Sequence, residues 1–131
     1  MILVDTSVWI EFFKKSPSIE LTQLELFIEE GEVATCLPIQ AELFSGEVSP
    51  KFEKILQDAF QAMVFVDPDW NSPTTWKNIT EFSSKARNLK VGIPKLVDRM
   101  ILYCAKQSKT TLWTLDKKLK KLAVSLRVQV Y

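Results

Sequence analysis

Residues 1–7 read M-I-L-V-D-T-S, an apolar run, Ile2-Leu3-Val4, that stops on Asp5. Consecutive apolar residues suit a strand covered on both faces, as in a parallel sheet between helices, better than a half-exposed strand, which would alternate. A carboxylate directly after such a strand has two readings. It caps the following helix, a position that favours Asp, Ser and Thr. Alternatively, it joins other acids at strand ends, where open α/β sheets bind their ligands.

Four more short apolar runs occur, at 33–37, 64–66, 112–114 and 128–130. Helical stripes lie between them. Phe52, Ile55, Leu56, Ala59, Phe60 and Met63 follow i, i+3, i+4, i+7 spacing, as do Trp76, Ile79, Phe82, Ser83 and Ala86. Val97, Met100, Ile101, Cys104 and Ala105 repeat the pattern after Pro94, which suits a helix's first turn. Leu115, Leu119, Leu122, Ala123 and Leu126 form the last stripe. Trp9, Phe12 and Phe13 share one face of a first helix, for core packing or, where exposed, for a partner. Strands separated by helices imply right-handed parallel crossovers. The expected fold is α/β: a three-layer α/β/α sandwich with a central, mostly parallel five-stranded sheet. With 131 residues and no repeat, linker or low-complexity tract, residues 1–131 read as a single domain.

The chain contains no histidine, which excludes His acid–base ribonuclease chemistry, Ser-His-Asp and Cys-His catalysis, and His-ligated metals. The net charge of +1 gives no bulk signal for a nucleic-acid partner, so such a site must be a local patch. Cys36 and Cys104 are far apart, form no C-x-x-C, and sit in apolar surroundings as small hydrophobes. Free cysteines, no signal-peptide pattern and no apolar run long enough for a membrane span together predict a cytoplasmic protein that makes no use of a membrane.

The acids recur at the strand ends. Asp5 follows the first strand, Glu42 opens the helix after the second, and Asp116 follows the fourth. Asp98 lies one turn into a helix, beside apolar Val97. Singly, each has an ordinary role as a cap, a solvated face or a partner for a nearby base. Together they raise an electrostatic problem: two unit charges 4 Å apart repel by about 4 kcal/mol at an effective dielectric near 20. A divalent cation resolves it. Carboxylates without His or thiolate partners point to Mg²⁺, with Mn²⁺ able to substitute, and such a site can activate water against a phosphodiester.

Four segments in order, D-T-S-V-W-I (5–10), A-E-L-F-S-G (41–46), G-I-P-K-L-V-D-R-M-I (92–101) and T-L-D-K-K-L-K-K-L-A (114–123), resemble a PIN domain of the VapC toxin type. The resemblance runs nearly end to end. It implies a Rossmann-like sheet and an Mg²⁺-dependent endoribonuclease, the toxin of a toxin–antitoxin pair. By motif match, Asp5, Glu42, Asp98 and Asp116 form the catalytic, metal-binding quartet, with Thr6 and Thr114 as hydroxyls that orient the carboxylates. The resemblance also implies a small VapB-type antitoxin, a homodimer, and DNA contact only through the antitoxin. Two departures add positive charge: Lys118 stands where relatives often carry another acid, and Arg99 follows Asp98 where a small residue is common.

A carboxylate cluster repels phosphate, so an RNA substrate needs a basic rim. Lys95 and Arg99 flank Asp98, and Lys117, Lys118, Lys120 and Lys121 follow Asp116. A solvated helix face accounts for the same lysines, and Arg99 also fits as a charge partner of Asp98. In the segment 66–73, Asp67 and Asp69 read as turn and cap residues. Two other functions share the pattern. One is a PIN-like binding module with weakened catalysis, suggested by Lys118 and Arg99. The other is a phosphoacceptor signalling domain that uses Asp67, although the first strand is followed by Asp-Thr and not by an acidic pair.

Overall fold

The first strand, β1 (Ile2–Val4), lies inside the sheet and not at its edge. In the computed structural model, which describes residues 1–131 with the side chain of Glu47 excepted, the elements alternate as the sequence predicts. After β1 come α1 (Thr6–Phe13), α2 (Leu21–Glu29), β2 (Val33–Thr35) and α3 (Leu37–Glu42), which continues as a wider helical turn, Leu43–Glu47. Next are α4 (Pro50–Gln61), β3 (Val64–Phe65), α5 (Pro73–Asn88), α6 (Leu96–Ser108), β4 (Thr111–Trp113) and α7 (Lys117–Ser125).

All pairings are parallel and the strand order is β3-β2-β1-β4. Leu3 faces Ala34 on one side and Leu112 on the other. The sheet thus has four strands, not five. The run at 128–130 adds only a single parallel bridge, Leu112↔Val130, although the Leu112 amide reaches Gln129 O at 2.8 Å and the Tyr131 amide reaches Leu112 O at 2.9 Å. Arg127, in the left-handed region at φ 62°, turns the chain out of α7 just before this run and leaves little length for a ladder. The second run is also shorter than its apolar residues suggest. Pro38 sits in the first turn of α3, where its fixed φ suits a helix, so the strand ends at Thr35.

The order reverses at β1: the chain steps outward from β1 to β2 to β3, then returns to β4 on β1's other side. Right-handed crossovers therefore put α5–α7 on the face opposite the helices that connect β1, β2 and β3. The same reversal opens a crevice between the carboxyl ends of β1 and β4. Because α6 runs back against β4, its N-terminal turn also lies at this edge, and α7 starts there.

Leu3, Val4, Ala34, Leu112, Ile101, Leu102 and Leu119 are fully or almost fully buried between the layers. Trp9 packs edge-on to Phe60, with ring centroids 5.7 Å apart, which ties α1 to α4. Cys36 and Cys104 are both fully buried. Contact with the Cys36 thiol, together with burial, pushes the Cys104 thiol up from its usual range, so Cys104 remains a protonated core residue. The wide turn after α3 closes at Gly46, whose φ of +107° only glycine adopts easily.

Candidate metal centre

Asp5 sits where β1 meets the crevice. Its amide donates to Trp113 O of β4 at 2.9 Å, which continues the ladder past the strand and fixes where the side chain starts. The residue is 3% exposed. Its carboxylate does not cap α1, so the local helix does not explain it. Instead Oδ2 accepts hydrogen bonds from Ser7 Oγ and Thr114 Oγ1, both at 2.8 Å. Oδ1 is buried with no hydrogen-bond partner among the described residues. An unsatisfied carboxylate oxygen in a protein interior costs free energy. Burial raises the pKa of Asp5 above the ordinary carboxylate value. The Ser7 and Thr114 hydroxyls, followed by the Thr6 and Ser7 amide dipoles, pull it part of the way back.

Two more carboxylates converge on this one. Glu42, the last residue of α3, accepts from Thr6 Oγ1 at 2.7 Å, which links the start of α1 to the end of α3. Asp98 lies in the first turn of α6, where the helix's positive end favours a negative charge. One oxygen from each of Asp5, Glu42 and Asp98 can be chosen such that all three lie within 4.8 Å of one another. The Asp98 pKa is pushed up to about 6, first by partial burial, then by the negative charges of Asp5, Glu42 and Asp116, with Lys95 opposing. No Lys or Arg makes an ion pair with Asp5 or Asp98 among the described residues. Three hard oxygen donors, from carboxylates of which Asp5 also keeps an orphaned buried oxygen, fit a divalent cation of the Mg²⁺ or Mn²⁺ type.

Asp116 stands at the rim, outside this trio. Its Oδ1 accepts from the amides of Lys118 (2.8 Å) and Leu119 (3.1 Å), so it caps α7, while its charge still acts on Asp98. Its own amide donates to Thr114 Oγ1 at 3.1 Å, which aims that hydroxyl at Asp5. Ser7 is the residue that sequence reasoning passed over. It donates to Asp5 and accepts from the Leu115 amide at 3.1 Å, tying α1 to the loop after β4. Its signal was its place within D-T-S, one residue beyond the noticed Thr6.

The basic residues separate. Arg99 is not paired with Asp98: its guanidinium donates to Ser83 Oγ at 2.6 Å and Pro94 O at 3.2 Å, pinning α6 to α5 and the preceding loop. Lys95, Lys117 and Lys118 are exposed. The stem of Lys118 lies so close to Gly92 that a Cβ there would come within 2.7 Å of its Cδ. Asp67 accepts from the Leu37 amide at 2.9 Å and from Trp70 Nε1 at 2.8 Å, so it caps α3 from outside the helix. Asp69 Oδ1 accepts from the Asn71 amide at 2.9 Å in the turn that follows.

The sequence profile of the PIN domain family matches residues 2–125. The chain belongs to the PIN domain family. Among curated relatives, VapC ribonuclease Mb1587 of Mycobacterium bovis and ribonuclease VapC11 of Mycobacterium tuberculosis are each 34% identical over 59 residues. These alignments span 44% of this chain and 44% of each relative, less than half of their length. Similar solved structures extend over the whole chain. FitAcB of Neisseria gonorrhoeae superposes with a TM-score of 0.65 at 21% identity, covering 100% of this chain and 96% of that one. VapBC2 of Rickettsia felis, bound to a DNA fragment from its promoter, gives 0.66 at 18% identity, covering 100% and 98%. At such identities the likeness shows the fold alone. Among the described residues of this PIN domain, no helix is long and apolar enough to cross a membrane.

Proposed function

We propose that this chain is a metal-dependent endoribonuclease and the toxin of a toxin–antitoxin pair. One observation carries the reading: Asp5, Glu42 and Asp98, from three separate places in the chain, bring oxygens within 4.8 Å of one another, and Asp5 keeps a buried Oδ1 with no hydrogen-bond partner among the described residues. A fold gains nothing in stability from such a cluster, so its use lies in what it binds. The relatives named as VapC ribonucleases and the neighbours titled as VapBC and FitAB assemblies support the same reading.

In this reading Asp5, Glu42 and Asp98 hold the ion, Mg²⁺ with Mn²⁺ as a substitute, and Asp116 at the rim acts through water. The bound ion would supply charge neutralisation on the phosphodiester and activation of a water. Thr114 and Ser7 fix the Asp5 carboxylate through one oxygen and leave the other for the ion. Thr6 orients the Glu42 carboxylate by donating to its Oε1. Such outer hydrogen bonds set ligand orientation and tune affinity. Lys95, Lys117 and Lys118 approach the RNA at the rim, whereas Arg99 serves mainly to seat α6. The partners are a small VapB-type antitoxin and a second copy of the chain, with promoter DNA reached through the antitoxin.

The test is cleavage of structured RNA by the purified chain with Mg²⁺ or Mn²⁺, with and without EDTA, in wild type and Asp98→Asn. Cleavage that needs the metal and vanishes in the variant is expected. Cleavage that survives EDTA or the substitution would overturn the mechanism.

A further inference from the structure

The net charge of +1 conceals an uneven distribution. Residues 1–98 carry nine Lys and Arg against fifteen Asp and Glu, whereas residues 99–131 carry eight against one, Asp116. The fold gathers this surplus on one side. Helices α6 and α7 pack together on the same face of the sheet, and both start at the catalytic edge and run away from it. Their far ends meet where Lys106 Nζ donates to Leu126 O at 3.0 Å.

Lys117, Lys120, Lys121 and Val124 line one shallow concavity along the outer side of α7. Lys106, Lys109 and Arg127 line a second at its far end, of about 470 Å³, with Thr110 and Gln129 beside them. All six cations are exposed, and none makes an ion pair among the described residues. Lysines at the C-terminal end of α6 follow the helix dipole and need no further explanation. Lys117 and Lys118 oppose it, because they sit in the first turn of α7, at its positive end. Local electrostatics therefore disfavours charges that the surface nevertheless displays.

We infer that the outer side of α7, continued by Lys106, Lys109 and Arg127, is a track for the RNA phosphate backbone that leads away from the catalytic cluster. This rests on the ribonuclease reading and deepens it. The track carries lysine and arginine without aromatic rings to stack bases, so it binds phosphates and is indifferent to sequence. An acidic protein helix fits less well, since Val124, 57% exposed, is the single apolar anchor among the residues lining the two concavities that lies on the outer side of α7. The nine residues of α7 span about 13 Å. With the far concavity added, and at roughly 3.4 Å of axis per stacked nucleotide, the contact covers about five nucleotides on one side of the scissile bond.

The experiment compares the wild-type chain with Lys120→Gln/Lys121→Gln/Arg127→Gln. Binding of a fluorescent RNA hairpin is followed by anisotropy in EDTA across a range of NaCl concentrations, and cleavage with Mn²⁺ is measured on the hairpin and on a tetranucleotide. Three lost phosphate contacts are expected to reduce the slope of log K against log salt by about two to three. The kcat/KM penalty should be at least tenfold greater on the hairpin than on the tetranucleotide and reside in KM. An unchanged salt slope, or equal penalties on both substrates, overturns the track. So does a variant that binds the hairpin normally but loses binding to polyglutamate, which would assign the face to an acidic protein. If the wild type cleaves neither RNA, the ribonuclease reading fails, while the salt slope in EDTA still decides whether the track exists.

Discussion

Asp98→Asn should stabilise the metal-free chain while abolishing the proposed ribonuclease activity. The folded protein binds the Asp98 proton more tightly than an unfolded chain does, with a pKa of about 6 against 3.8. Stability from this group is thus fully present below about pH 4 and is lost as the pH rises through 6, where the ionised carboxylate faces Asp5, Glu42 and Asp116. A shift of about two units corresponds to roughly 3 kcal/mol if none of it is screened. Asp98 is only half-buried, and solvent screening brings the figure to about 1 kcal/mol. Asparagine keeps the shape and removes the charge. In EDTA at pH 7 the variant should therefore gain about 1 kcal/mol, read as a rise of roughly 0.5 M in the urea midpoint. The gain should shrink through pH 5 and vanish near pH 4, where aspartic acid is itself neutral. A variant less stable than wild type at pH 7, or equally stabilised at both pH values, would refute the claim that charge crowding at this position strains the empty site.

Mn²⁺ affinity should fall as the pH drops through 6, because the ion competes with the Asp98 proton; by calorimetry the loss should approach tenfold per unit well below that point, and a flat profile would remove Asp98 from the ligands. Thr114→Val deletes the hydroxyl that links Asp5 Oδ2 to the Asp116 amide. It should weaken Mn²⁺ binding about 10- to 100-fold in titrations while the far-ultraviolet circular dichroism stays unchanged. Asp67→Ala leaves the Leu37 amide without its acceptor at the start of α3. It should cost about 1 kcal/mol in thermal unfolding, shifting the midpoint by a few degrees.

The strands and helices were legible wherever burial on both sides imposed an unbroken apolar run or a clean stripe, as at Ile2–Val4 and 97–105. Legibility failed where tertiary context decided. The run at 128–130 is as apolar as any strand, yet it makes one bridge because the turn at Arg127 comes so late. Leu115 reads as part of the last helical stripe but precedes α7 and stays partly exposed, since Asp116 starts that helix. For the site, acids after apolar runs were visible in the string, and three of the four meet. That Asp116 would spend an oxygen capping α7 was equally visible as an alternative, and only coordinates could choose. Ser7 escaped because a serine after Asp-Thr is common in helix starts and its two partners are distant in sequence. Of the basic surface, Lys117, Lys118, Lys120 and Lys121 were visible beside Asp116, whereas Lys106, Lys109 and Arg127 escaped because a single net charge averages the two parts of the chain.

The hydrogen bond from Thr114 to Asp5 joins residues 109 positions apart, and β1 gains its second neighbour only when residues 111–113 arrive. A chain emerging from the ribosome therefore presents Asp5 well before Thr114 and cannot organise its carboxylate until residues 111–114 have followed. If the proposed ribonuclease reading holds, fragments that stop short of residue 111 lack the organised carboxylate and spare the RNA around them. The topology itself would then delay the site's assembly until residues 111–114 are in place.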